Sequence, residues 1–304
     1  MTLAVIVLTY NSQALLPALL DGIAIQTLQP DEVIVMDSNS RDASREIAVA
    51  RGAYVHVHGA RKFNHGGTRR WASELTSADI LIYLTHDAIP ADPDAFANIV
   101  ASIRNTTDAG MAFGRQLPNP TAGALGRHHR IFNYPSESRV KRLADAKELG
   151  IKTCFASDSF SAYRRDRLME IGGFPQDVVS CEDQFVAARL LLAGYSVVYA
   201  GDARVYHSHD YSITEEFKRY FDSGAFFSMH PWIMKRFGGA SGEGARFVIS
   251  EIKYLLSTGH WLLVPKAIAA TIAKFAGFKA GLNQMYLSNA VKRSLGMHGA
   301  YWGN

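Results

Sequence analysis

The chain opens with short, uninterrupted apolar runs separated by amphipathic stretches. Residues 3–8 (LAVIVL), 32–36 (EVIVM), 54–57 (YVHV) and 79–84 (DILIYL) read as strands. After the first, YNS supplies a turn in which Asn11 or Ser12 suits a helix N-cap. Leu15, Leu16, Leu19, Leu20 and Ile23 then recur at helical spacing. Residues 42–51 read as a second helix stopped by Gly52, and a third follows NHGG at 64–67. Strands that are apolar throughout, alternating with helices, predict an α/β fold with a mostly parallel central sheet covered by helices on both faces.

The pattern loosens from 115 to 142. Arg115, Arg127, Arg130, Arg139, Lys141 and Arg142 face one acid, Glu137, and Pro118, Pro120 and Pro135 interrupt regular structure. This stretch reads as a long basic loop with short helical pieces. From 151 the alternation resumes with FSAYRR, GGFPQD and a helix through CEDQFVAARLLLAGY ending at Gly194. SVVYA and ARVYH read as two short strands, and helix dominates from about 213 onward. There is no internal repeat or low-complexity tract.

In an open parallel sheet, ligands bind outside the carboxyl ends of the strands. Thr9–Tyr10, Asp37 and Asp87 each follow a predicted strand, so they fall along one edge. Asp87 either caps a turn or holds a divalent cation, which prefers hard oxygen ligands. His86 beside it reads as structural or solvent-facing. His207 and His209 lie two apart in an extended segment. They are satisfied polar residues unless the segment passes Asp87, where imidazole would suit Mn²⁺. Glu182 and Asp183 open a helix, either as charges complementing its dipole or with one as a general base. In KFNHGGTRR (62–70), Gly66–Gly67 allow close backbone approach and Arg69 and Arg70 can reach a phosphate or a base edge. The alternative is an ordinary loop and helix start.

Composition narrows the classes. There are 32 Lys and Arg against 28 Asp and Glu, a net +4. That mild excess suits an anionic small molecule or an anionic membrane surface and gives no case for nucleic acid. Two cysteines, Cys154 and Cys181, make no disulfide framework, which fits a reducing cytoplasm. The first residues lack a basic leader. No stretch is expected to cross a bilayer, because 261–278 is broken by Pro265, Lys266 and Lys274. Neither a G-x-G-x-x-G nor a P-loop signature occurs.

Together these segments resemble the family 2 inverting glycosyltransferases with the nucleotide-diphospho-sugar transferase (GT-A) fold. The matching pieces are VIVLTYNS (5–12), VIVMDSNSRD (33–42), the acid closing the fourth strand, GGF (172–174), CED (181–183) and a late histidine, in that order over residues 3–212. A narrower resemblance is to bacterial rhamnosyltransferases, through FNHGGTR, LTHDAIP, GRQLPNP, RIFNYPSES and VYHSHDYS.

The resemblance implies a catalytic domain over 1–212, with a nucleotide-binding half at about 1–90 and an acceptor half at about 91–212. A helical C-terminal region follows over 213–304. It implies nucleotide-sugar contacts from Thr9, Tyr10, Asn11, Asp37, Asn39, Arg69, His86 and Asp87. Tyr10 would lie against the base and Asp37 would accept its N–H. Asp87 and His207 would hold Mg²⁺ or Mn²⁺ at the diphosphate. Asp183 would be the catalytic base with Glu182 beside it. The implied donor is dTDP-L-rhamnose, and the acceptor a glycan or lipid-linked saccharide of a cell-surface polysaccharide such as lipopolysaccharide. The basic 115–142 loop would face a lipid diphosphate. Where the family offers Asp-x-Asp, this chain has Thr85-His86-Asp87, with one acid.

Residues 251–286 are rich in aromatics, Ala and Lys. They form packing helices, a homodimer contact or an interfacial helix on the inner face of an anionic membrane. Lys266, Lys274 and Lys279 do not share one helical face. Three rival readings remain: a transferase of a UDP- or GDP-hexose, a sugar-phosphate nucleotidyltransferase, and a non-catalytic nucleotide-sugar-binding scaffold. The nucleotidyltransferase reading is weakened by the lack of a Gly-rich loop after the first strand.

Overall fold

A computed structural model describes residues 1–59, 63–239 and 242–303. Lys62 of the 62–70 motif lies outside the described residues. In chain order the elements begin with β1 (Leu3–Thr9), α1 (Leu16–Ala24), β2 (Glu32–Asp37), α2 (Ser44–Ala50), β3 (Tyr54–Val57), α3 (His65–Glu74) and β4 (Ile80–Thr85). Then come β5 (Ile89–Pro90), α4 (Ala95–Arg104), β6 (Ala109–Leu117), α5 (Ala124–Asn133), β7 (Arg139–Lys141), α6 (Ala146–Leu149), β8 (Phe160–Arg164) and α7 (Arg165–Glu170). The chain closes with α8 (Glu182–Leu192), β9 (Ser196–Tyr206), α9 (Ile213–Met229), α10 (Pro231–Phe237), α11 (Glu243–Ser257), α12 (Val264–Leu282) and α13 (Asn289–Leu295).

Among the described residues the strands form one sheet in the order β3-β2-β1-β4-β8-β6-β9-β5, with β7 also on β9. Its first half is parallel, and β8 enters antiparallel to both β4 and β6. Burial explains why the first strands are unbroken apolar runs. Leu3, Val5 and Val7 of β1 pack with Leu16, Leu19 and Phe96 on one face, while Ala4, Ile6 and Leu8 pack with Phe174, Val186 and Leu190 on the other. Each buried Leu, Ile or Val contributes about 1.5–3 kcal/mol, so both faces demand hydrophobes. The parallel register sets Thr9 beside Asp37 and Leu8 beside Thr85, so three strands end on one line.

Four details depart from the sequence expectations. Helix α1 is not capped by Asn11 or Ser12. Asn11 turns the chain with φ +46°, and the helix begins beyond Leu15 with Pro17 in its first turn. The two short strands near 200 are one, β9. There Ala200 faces Gly114 and Arg204 faces Arg115, so Gly201–Ala203 bulge out. Such a bulge bends a strand and re-aims the residues beyond it, here His207.

The 115–142 segment is not a uniform basic loop. Arg115 lies in β6, Arg130 on α5 and a buried Lys141 in β7, while Arg139 pairs with Glu148 and Arg142 with Asp108. Nor is the 261–278 region broken. Pro265 sits in the first turn of α12, where a proline costs nothing. Trp261–Leu282 is a continuous apolar helical stretch of 22 residues, long enough by length and composition to cross a membrane. It lies along α9. Added Cβ atoms at Gly224, Gly277 and Gly281 would meet backbone atoms of the facing helix at 2.2, 2.3 and 2.1 Å. Small residues let two backbones approach that closely.

Candidate active site

The loops after β1 and β2 are zipped together by side chains binding backbone. Ser40 Oγ accepts the Asn11 N–H at 2.8 Å, Ser44 Oγ the Ser12 N–H at 2.7 Å and Asp42 the Gln13 N–H at 3.0 Å. In return Asn11 Oδ1 accepts the Arg41 N–H and Gln13 Oε1 the Ala43 N–H. Asn39, at φ +65°, exchanges two hydrogen bonds with the Gly59 backbone. Asparagine tolerates this left-handed backbone better than most residues. Asn11 and Asn39 therefore shape the rim, and neither lines the cleft. Asp37 is fully buried. Its Oδ1 accepts the Ser40 N–H, while Oδ2 has no hydrogen-bond partner among the described residues. The Thr9 hydroxyl is likewise buried without a partner among them. Tyr10 stands at the rim, 54% exposed, with its ring open to the cleft.

At the end of β4, Asp87 meets His207 and His209. Their ligand atoms lie within 4.8 Å of one another, with His207 Nε2 and His209 Nε2 at 3.5 and 3.4 Å from Asp87 Oδ2. The two Nε2 atoms face each other at 3.1 Å. Gln116 Oε1 accepts from His207 Nδ1 at 2.9 Å, which fixes the proton there and frees the Nε2 lone pair. Gln116 is held in turn by Ser157. Burial pushes the Asp87 carboxyl up, but its contact with His207 and the charges of His207 and His86 outweigh this and hold it below the usual range. Burial and the adjacent His207 lower His209 to about 4. One carboxylate oxygen and two imidazole nitrogens fit a divalent transition-type cation. The loop bearing them is tied to α5, since Asp210 accepts the Gly123 N–H at 2.8 Å and Ser208 the Asn119 N–H at 3.0 Å.

The start of α8 forms the floor. Cys181 precedes it at φ +61°, a left-handed backbone unusual for cysteine. This turn sets Glu182 and Asp183 apart. Glu182 points into a buried network, where Arg69 pairs with it at 2.7 Å and with Asp158 at 3.0 Å. Burial pushes Glu182 up, but the Arg69 guanidinium together with His65, His298 and a backbone N–H outweighs it and holds it below the usual range. Ser161 and Tyr163 donate to Asp158. Among the described residues no cation pairs with Asp183. Burial and the neighbouring Glu182 and Asp158 carboxyls push it well above the usual range. It accepts the Gln184 and Asp158 N–H groups and lines the cleft.

These groups share one cleft of about 1600 Å³. Single small-ligand pockets run to roughly 1,000 Å³, so this one has room for two substrates. Its far wall comes from α5, α9, α11 and α12, and His298 closes it beside His65 and Asp222.

The sequence profile of glycosyl transferase family 2 matches residues 4–172. The chain belongs to that family. The transferase is 45% identical over 306 residues to the O-antigen chain rhamnosyltransferase RfbN of Salmonella typhimurium, covering 100% of this chain and 97% of that one. It is 43% identical to the O-antigen chain rhamnosyltransferase WbaN of Salmonella anatum, over 92% and 88% of the two chains. Among solved structures, a mannosyltransferase from Pyrobaculum calidifontis in complex with GDP-Man and Mn²⁺ superposes with TM-score 0.58 at 19% identity, over 99% of this chain and 84% of that one. S. aureus TarS gives 0.57 at 16% identity, over 94% and 91%. These place the transferase in the GT-A fold.

Thr9, Tyr10, Arg69, His86, Asp87, Glu182, Asp183 and His207 all line the glycosyltransferase's cleft. Arg69 is only 3% exposed, and it pairs with two of the floor's carboxyls, Asp158 and Glu182. Sequence reasoning misses Gln116 and Asp158, which carry no spacing signal, and leaves His209 unassigned although it stands two residues from His207.

Proposed function

We propose that this glycosyltransferase moves L-rhamnose from dTDP-L-rhamnose onto a lipid-linked saccharide in O-antigen synthesis, with inversion at the anomeric carbon. Likeness to two O-antigen chain rhamnosyltransferases over nearly the whole chain carries the choice of sugar. The chemistry rests on Asp183, the one carboxyl of the floor that opens to the cleft without a cation partner. Held proton-hungry by its surroundings, it takes the proton of the acceptor hydroxyl. The hydroxyl oxygen forms its bond to the anomeric carbon as the bond to the diphosphate oxygen breaks, and one displacement gives one inversion. Glu182, ion-paired with Arg69, holds the floor in place.

Asp87, His207 and His209 would hold the cation, which would neutralise the leaving diphosphate. Mn²⁺ suits the two imidazole nitrogens better than Mg²⁺ does. Tyr10 would stack on the base, and the free Asp37 Oδ2 would accept its N–H.

The enzyme is cytoplasmic and rests on the inner membrane surface through α12. Ile268, Ile272 and Phe275 stand exposed there, and the glycine face is occupied by α9. Liposome co-sedimentation tests this, with loss in Ile272→Asp expected. A monomer–dimer shift in the same variant would make the face a contact between two copies instead.

The donor is tested by calorimetry with dTDP-rhamnose, UDP-glucose and GDP-mannose, each with Mn²⁺ and with EDTA. Cation-dependent binding of dTDP-rhamnose alone is expected. Binding of a UDP- or GDP-sugar in its place would keep the mechanism and overturn the sugar. Donor binding without turnover against any lipid-linked acceptor would favour the scaffold.

A further inference from the structure

Arg130 stands on α5 in the wall of the cleft. It is 8% exposed, its Nε is buried with no hydrogen-bond partner, and among the described residues no carboxylate lies within ion-pair distance of it. Its nearest aromatic contact is the Tyr134 ring, 5.7 Å from the guanidinium carbon. Two neighbouring cations of this wall that are not exposed, Arg219 and Lys274, share Glu216 at 3.2 and 3.3 Å. A buried cation without an anion is costly, and a well-packed apolar residue would be more stable there. Burial pulls Arg130 below the ordinary arginine value, as an uncompensated cation requires.

Its location says what anion is missing. Arg130 lines the same cleft as Asp87, His207, His209 and Tyr211. The helix that carries it is fastened to the 207–210 loop through Gly123–Asp210 and Asn119–Ser208. The two sets of groups therefore form one surface. That surface carries two carboxylates, Asp87 in the cation group and Asp210, which accepts the Gly123 N–H. A divalent cation and the Arg130 guanidinium would outweigh them by one positive charge, which favours an anionic ligand. The planar fork of a guanidinium also matches phosphoryl oxygens in pairs.

We propose that Arg130 is the diphosphate-recognition residue of this cleft, gripping a diphosphate directly at the cation site. This rests on the nucleotide-sugar reading only for which diphosphate it is. The ligand chemistry is the same for the diphosphate of a sugar nucleotide and for that of a lipid-linked acceptor.

The test uses the full chain with Arg130→Met and Arg130→Lys. Ligands are pyrophosphate, dTDP, thymidine and a short isoprenyl diphosphate, followed by calorimetry in EDTA, with dTDP repeated in Mn²⁺. Loss of the guanidinium should weaken pyrophosphate and dTDP by about 30-fold, leave thymidine unchanged, and be partly restored by lysine. Weakening confined to the isoprenyl diphosphate would support the site and assign it to the acceptor. A melting experiment reads the same claim independently. Ligand-free Arg130→Met should melt at or above the unaltered protein, because an unpaired buried charge has gone, and pyrophosphate should reverse that order. A folded Arg130→Met with unaltered affinity for every diphosphate would overturn the proposal. Pyrophosphate binding that depends on Arg130 in a protein binding no dTDP-sugar would leave this site standing and sink the donor assignment.

Discussion

The rim of the cleft and its floor are built from different forces. The rim is held by neutral and singly charged side chains reaching the backbone of the facing loop, each bond replaceable by water. The floor is held by ions removed from water, where Arg69 serves Asp158 and Glu182 and leaves Asp183 without a counter-charge. Small increments make the rim a stable shape. The floor is a stressed arrangement whose unbalanced member faces the substrates. A net hydrogen bond is worth about 1 kcal/mol, whereas breaking a buried ion pair costs about 3–5 kcal/mol. The two regions should therefore fail differently.

The largest expected effect is on turnover. Asp183→Asn should lower kcat by about 10³-fold while calorimetric affinity for the donor stays unchanged; a comparable loss of affinity would move Asp183 out of the base role. Arg69→Met should destabilise the fold by about 3–5 kcal/mol in urea, because two carboxyls lose their cation. Gln116→Ala should weaken Mn²⁺ binding by about 10–100-fold, read from free Mn²⁺ in an electron-spin titration, with little change in melting. The pH profile sharpens the contrast further. The base works deprotonated, so kcat/KM should fall as pH drops through the Asp183 pKa, which burial and two carboxyls place above the ordinary aspartate value of about 3.9. Asp158→Asn removes one of those charges and should move that acid limb to lower pH. Smallest is Asn39→Ala at the rim, expected to cost about 1–2 kcal/mol and to leave kcat alone.

The same division governs how much of the molecule is legible in its sequence. The parallel half of the sheet announces itself because both its faces are buried, so β1 and β4 can only be hydrophobic and their ends can be counted. Thr9, Asp37 and Asp87 are found directly in this way. Asp183 and His207 come through resemblance, on motifs that also admit capping and plain polar readings. The hidden residues are those that depend on distance in space. Asp158 meets Arg69 across 89 positions of sequence, and Gln116 meets His207 across 91. Neither separation leaves a pattern. The β9 bulge reads as a break because Gly201–Asp202 looks like a turn, although the strand resumes after it. Pro265 reads as a helix breaker because its position within the first turn shows only once the helix start is known.

The bonds from Asp210 to Gly123 and from Ser208 to Asn119 have a consequence for recombination. Segments 119–130 and 205–212 are one cassette in two pieces. A chimera that imports the first from a relative without the second strands a carboxylate and a hydroxyl that hold the 207–210 loop in register. It also rotates Arg130 against a site built for another helix. Specificity grafted between such enzymes should therefore travel only when both pieces are exchanged together.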